Sequence, residues 1–188
     1  GEDQEKEVGK LLQDYGAKRV LLLYGGGSIK RSGLYDIIVR SLMESQIEFV
    51  ALGGVRPNPT ASFVREALKL VKKKGIDFLL AVGGGSVIDT AKSIGVGTYY
   101  EGDPFDFNLK KAVPEKTMPV GVILTIASAG SESSNSCVIQ DDEMEIKQGF
   151  NSDLIRPVFA IENPKWALTV PSYQVFAGAS DIMMHSLE

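Results

Sequence analysis

Leu79-Leu80-Ala81-Val82-Gly83-Gly84-Gly85-Ser86-Val87-Ile88-Asp89-Thr90-Ala91-Lys92 is the stretch on which the fold turns. An apolar run ends in three glycines and a serine, and a helical pattern follows: a buried strand, a tight turn and a helix start. Glycines let the backbone approach a ligand closely. The helix start adds unpaired N–H groups at the positive end of its dipole, which suits a phosphate or pyrophosphate. A branched side chain at Gly84 is expected to fill the phosphate's space and to resist a positive φ. A plain tight connection between strand and helix is the alternative. It loses ground because Leu21-Leu22-Leu23-Tyr24-Gly25-Gly26-Gly27-Ser28 repeats the design. Two such turns in one α/β domain fit a dinucleotide, which has a pyrophosphate and a ribose to hold. The doubled Gly-Gly-Gly-Ser is a local likeness and does not establish a sequence repeat.

Around these turns, strand and helix patterns alternate. Val8, Leu11, Leu12 and Tyr15 mark a helix closed by Gly16; strands are expected at 19–24, 49–52, 77–82, 120–125 and 157–161. Leu34, Ile37, Ile38, Ser41 and Leu42 form a second helix face, and Thr60 caps a third helix carrying Phe63, Val64, Ala67, Leu70 and Val71. A fourth runs over 87–96. Two prolines and two glycines make 53–59 a loop, 136–140 and 145–149 read as a hairpin, and 98–118 reads as a long surface excursion. The fold class is therefore α/β, a Rossmann-like parallel sheet with helices on both faces. Residues 1–168 are expected to be the dinucleotide-binding domain. Residues 169–188 are expected to begin a helical one.

Composition narrows the function. The chain has 188 residues, 44% apolar and 23% charged, enough for one domain with a real core and part of a second. A net charge of −4 speaks against a general nucleic-acid binder. No apolar run approaches the ~20 residues of a membrane span, so no membrane partner is expected. The start is acidic and polar, unlike a signal peptide. The single cysteine, Cys137, cannot form an internal disulfide, which suits a cytoplasmic setting, and it reads as a small buried hydrophobe. With no initiator Met, and an end at Glu188 inside a helical pattern, the chain reads as a piece of something longer.

Three features bear on chemistry. Asp181 and His185 lie i, i+4 on one helix face, where a carboxylate and an imidazole can chelate a divalent metal. A surface pair or a capped core histidine fits the same spacing. His185 is the one histidine of the chain, so the pair cannot complete a familiar three- or four-ligand site. The segment 125–134, Thr-Ile-Ala-Ser-Ala-Gly-Ser-Glu-Ser-Ser, follows a buried strand and reads either as a cofactor wall or as an ordinary polar loop. NAD sites place a carboxylate on the ribose 2′-OH. The first turn has none: Gly26, Gly27 and Ser28 are followed by Lys30 and Arg31, which suits a 2′-phosphate and favours NADP(H) over NAD(H), unless the two cations are merely solvated.

Residues 82–92, 125–132 and 177–188 (Ala-Gly-Ala-Ser-Asp-Ile-Met-Met-His-Ser-Leu-Glu), in this order and spacing, resemble the iron-containing (group III) alcohol dehydrogenase family of the dehydroquinate-synthase-like superfamily. Residues 24–30 and Arg56-Pro57-Asn58-Pro59 look like its NADPH-dependent butanol dehydrogenase and aldehyde reductase branch. The resemblance spans essentially the whole chain. It implies an N-terminal dinucleotide domain, an all-helical C-terminal domain and an active site between them. It also implies a divalent metal, Fe²⁺ or Zn²⁺, held by one Asp and three His. Asp181 and His185 would be the first two ligands, the other histidines lying downstream, and a short strand would precede Gly1. Gly84, Gly85, Ser86 and Asp89 match positions at or near the pyrophosphate; Asn58, Thr125, Val138 and Lys147 match cofactor-lining positions. Ala129 stands where many relatives have Thr, removing one hydroxyl contact. The implied activity is hydride transfer between NAD(P)(H) and a primary alcohol or aldehyde, with a homodimer as candidate assembly; these 188 residues are expected to bind cofactor without turning over. A glycerol-dehydrogenase or dehydroquinate-synthase-type relative, or a dinucleotide module without catalysis, is the alternative.

Overall fold

The computed structural model describes residues 1–168 and 170–187; Thr169, Glu188 and the side chain of His185 lie outside the described residues. The strands are β1 (Arg19–Tyr24), β2 (Glu48–Leu52), β3 (Phe78–Gly83), β4 (Val120–Leu124), β5 (Ser136–Asp141), β6 (Ile146–Asn151) and β7 (Phe159–Glu162). Five of them form one parallel sheet in the order β2-β1-β3-β4-β7, while β5 and β6 pair antiparallel as a separate hairpin. Strands covered on both faces read as unbroken apolar runs, and β1 from Val20 to Leu23 and β3 from Phe78 to Val82 are buried throughout.

Successive strand residues point to opposite faces, so the sheet feeds two cores. Val20, Leu22, Phe78, Leu80 and Val82 pack against α1 (Val8–Asp14), against Ile29 of the short α2 (Ser28–Arg31), and against α3 (Leu34–Glu44). Leu21, Leu23, Leu79 and Ala81 pack against α4 (Ala61–Lys74), α5 (Gly85–Gly97) and the hairpin. Each long helix buries one stripe, Leu34, Ile38 and Leu42 on α3, Ala61, Val64, Ala67 and Val71 on α4. As expected, Thr60 caps α4, its hydroxyl accepting the Phe63 N–H at 3.4 Å. The helix ends at Gly75, whose φ of +61° suits glycine.

Helix α3 connects β1 to β2 across one face; α4 and α5 return across the other to β3 and β4. The winding thus reverses between β1 and β3. In open parallel sheets a ligand crevice lies beyond the carboxyl ends of the strands at such a reversal. Both glycine turns leave the sheet there.

The segment 98–118 departs from expectation. Phe105, Phe107, Asn108 and Met118 are buried, and the Tyr100 and Phe107 rings lie 4.7 Å apart. Aromatic area outweighs the polar neighbours, and Arg65 fastens the segment by a two-pronged bond to Asp103 at 2.6 and 3.1 Å. Beyond β7 come α6 (Pro164–Ala167) and α7 (Ser172–Leu187). The expected boundary at 168/169 falls at Thr169. Among the described residues no helix is long and apolar enough to cross a membrane.

Candidate functional site

A cleft of about 540 Å³ opens at the winding reversal. Its wall draws on Gly25, Gly26 and Ser28 after β1, on residues 83–87 after β3, on Thr125, Ile126 and Ser128 after β4, and on Trp166 and Gln174 from α6 and α7. The two turns that the sequence singled out thus share one cavity.

At its floor, helix α5 begins. The N–H groups of Val87 and Ile88 return to the Gly84 carbonyl at 3.0 and 3.2 Å. Those of Gly85 and Ser86 come before the helical ladder starts, which leaves them for an anion. Gly84 has φ −100°, not the positive value expected, so backbone conformation does not demand glycine here. Packing does: an added Cβ would run into Ile126 Cγ2, and one on Gly83 would meet Val87 Cγ2 at 2.6 Å. At Gly26 a Cβ would meet no protein atom within 4 Å. Gly26 is open towards a ligand; Gly83 and Gly84 hold strand, helix and wall together.

The cations after the first turn part company. Lys30 Nζ lies over the rings of Tyr24 and Tyr35, 5.2 and 5.0 Å from their centroids, and its pairing with Tyr24 raises its pKa. Arg31 reaches back instead, its guanidinium 2.9 Å from where a Cβ of Gly27 would stand.

The remaining expected contacts separate into two groups. Thr125 lines the cleft, its N–H donating to Gly83 O at 3.1 Å. Asn58 and Lys147 are joined, Lys147 Nζ donating to Asn58 Oδ1 at 2.8 Å, so loop 53–59 is latched to the hairpin next to Pro57 of the wall. Asp89 and Val138, like Gly27, Asn58 and Lys147, are not among the lining residues. Asp89 accepts the Val138 N–H at 3.0 Å and the Ser131 hydroxyl at 2.7 Å. Burial pushes its carboxyl up in pKa, and these two bonds pull against that.

Asp181, on α7, meets the wall of the same cleft at Ser128. The Ser128 hydroxyl donates to its Oδ2 at 2.5 Å, and a Cβ on Gly178 would stand 3.0 Å from Ala127 O, so α7 lies against the wall. His185 occupies the next turn, with its side chain outside the described residues. Among the described residues no cluster of three His, Cys, Asp or Glu could hold a metal. A carboxylate held at the cleft fits a divalent cation as one donor of a larger set.

Three residues of the site have roles that the sequence did not assign to them. Ile126 sets the close packing at Gly84. Trp166 lines the cleft and donates its Nε1–H to Glu5 at 3.0 Å. Lys92 is wholly buried although it carries a charge. A lysine in a helix that is buried from Thr90 to Gly97 needs partners, because buried lysines are kept only when partnered.

Comparison with known proteins points to one family. The model of the iron-containing alcohol dehydrogenase family matches residues 1–164. The probable NADH-dependent butanol dehydrogenase 1 of Bacillus subtilis is 44% identical over 188 residues, covering all of this chain and 48% of the relative. The NADPH-dependent aldehyde reductase YqhD of Escherichia coli is 37% identical over 178 residues, covering 90% of this chain and 44% of the relative. The crystal structure of NADH-dependent butanol dehydrogenase A from Thermotoga maritima superposes with a TM-score of 0.98 at 40% identity, covering all of this chain and 47% of that one. The chain spans about half the length of the curated relatives it matches.

Proposed function

The chain belongs to the iron-containing alcohol dehydrogenase family, and from that premise we propose that its cleft binds a nicotinamide dinucleotide for hydride exchange with a primary alcohol or aldehyde in the complete protein. The observation that carries this reading is the meeting of both glycine turns in one cavity, with Asp181 held at its wall. The N–H groups of Gly85 and Ser86 take the pyrophosphate. Gly26, Gly27 and Ser28, with the guanidinium of Arg31, take the adenosine ribose. Thr125 supports the wall facing them, and Asn58 and Lys147 close the side at loop 53–59. Asp89 and Val138 act from behind, by fixing α5 to β5. Asp181 and His185 supply two donors for a divalent metal, Fe²⁺ or Zn²⁺. When bound, the dinucleotide supplies or accepts the hydride, and the metal supplies a Lewis acid for the substrate oxygen. On this reading residues 1–168 are the dinucleotide unit and 169–188 open a helical one.

The carboxylate-free turn and Arg31 support NADP(H) over NAD(H), although the names of the relatives divide between the two. Titration by nicotinamide fluorescence tests both levels. NADPH is expected to bind several-fold more tightly than NADH. Equal affinities reject the preference, and binding of neither rejects the cleft. With two metal donors the 188 residues are expected to bind dinucleotide yet leave butanal unreduced, while the complete protein reduces it; turnover by the 188 residues would reject the metal assignment.

A further inference from the structure

Gly85, Asp89 and Lys92 stand at i, i+4 and i+7, on one face of α5. All three meet the chain between β4 and β5. Ser131 Cβ lies 3.9 Å from where a Cβ of Gly85 would stand; Asp89 binds Ser131 and Val138. The ammonium of Lys92 lies 2.9 to 3.2 Å from four oxygens: Ser131 Oγ, Ser134 O, Ser134 Oγ and Ser136 O. Among the described residues no carboxylate lies within ion-pair distance of it. A buried charge satisfied by neutral oxygens must keep all of its donors occupied, so it gathers the chain that bears them.

That gathering has a consequence upstream. The segment 125–131 is pinned at one end by Thr125 N–H on Gly83 O and at the other by Lys92 and Asp89 on Ser131. Between the pins lie Ile126, against Gly84, and Ser128, against Asp181. We propose that Lys92 is a positioning residue for the dinucleotide cleft: its buried ammonium holds the 125–131 wall at its working distance from the start of α5. The inference rests on the reading of the cleft as a dinucleotide site.

The titratable groups facing Lys92 come from four elements: Asp89 on its own helix, Glu132 in the gathered segment, the Cys137 thiol on β5 and Arg156 beyond β6. Burial pushes the ammonium below the ordinary lysine value of 10.5, Asp89, Cys137 and Glu132 oppose that, and Arg156 adds to it. Lys92 therefore loses its proton, and one donor, at a lower pH than an ordinary lysine.

The test measures the dissociation constant of NADPH by nicotinamide fluorescence over about pH 7 to 10, for the protein, Lys92→Met and Ser131→Ala. Wild-type affinity is expected to fall as Lys92 deprotonates. Lys92→Met is expected to bind about tenfold more weakly at neutral pH, as small misplacements at reacting sites do, and to lack the alkaline decline. Wild-type affinity and pH profile in Lys92→Met overturn the inference while leaving the cleft intact. Failure of the wild type to bind NADPH or NADH overturns the cleft and the inference together. If Lys92→Met does not fold, Ser131→Ala decides: it removes one acceptor of Lys92 and, with it, a donor to Asp89. A loss of about threefold that fades as Lys92 deprotonates supports the inference; unchanged affinity, or a loss independent of pH, overturns it.

Discussion

At the scale of single residues, the glycines divide by what surrounds them. Gly26 meets no protein atom, whereas a Cβ on Gly84 collides with Ile126. Gly26→Ala is expected to leave thermal stability unchanged and to weaken dinucleotide binding. Gly84→Ala is expected to lower stability by about 1–3 kcal/mol through overpacking and to weaken binding as well. Equal melting temperatures for the two variants would contradict the division. The sequence placed both turns at a phosphate and missed the cause at Gly84, because Ile126 stands 42 positions away and only folding makes them neighbours. Asp181 and His185 were legible as a spaced pair, but the Ser128 contact was not. In the complete protein His185→Ala is expected to strip most of the metal, measured as bound metal per chain, and most butanal reduction with it; unchanged metal content would remove His185 from the ligand set.

At the scale of elements, Arg65 joins three that the sequence left separate: its own α4, the segment 98–118 through Asp103, and β5 through Asp141 at 2.7 Å. Burial raises both carboxyls, but the Arg65 hydrogen bonds, with the N–H groups of Phe105 on Asp103 and of Met144 and Glu143 on Asp141, outweigh it and hold both below 3.8. With folded values below the unfolded one, this stabilisation is complete above pH 3.8 and is lost as pH falls through the depressed values. Arg65→Met is expected to cost about 1–3 kcal/mol at pH 7, since it strands the buried Asp141. The gap to wild type in urea unfolding should close below pH 3.8; a gap independent of pH would place Arg65 outside the acid response. The segment 98–118 misled because its polar residues are close in sequence, whereas the apolar ground that Phe105 and Phe107 cover is built by α5 and the hairpin.

At the scale of the molecule, the alternation of strand and helix patterns was enough to read parallel layers, and element ends shifted by a residue or two. Strand order was not legible, because it depends on which face each crossover takes, and that is settled jointly by the two cores. Glu5 makes the same point. It lies in a polar, acidic start, yet it is fully buried beneath Asn163 and Trp166 at the other end of the α/β unit. A ligand in a cleft built from four parts of the chain should stabilise all of them together. Saturating dinucleotide, at about a hundred times its dissociation constant, is expected to raise the melting temperature by about 5–10 °C. The absence of any shift would mean that the cleft is not the binding site.

The position of β1 also sets a schedule for synthesis. It is made before both of its partners, yet it lies inside the sheet, with Val20 between Phe49 and Phe78. On a ribosome adding about 5–20 residues per second, Phe78 emerges about 3–12 seconds after Val20. Throughout that interval one edge of an apolar strand stands bare, open to any extended chain nearby. Nascent chains stalled before Phe78 should accordingly be held by chaperones, and chains extended past Leu124 released, because by then β1 and β3 are both enclosed.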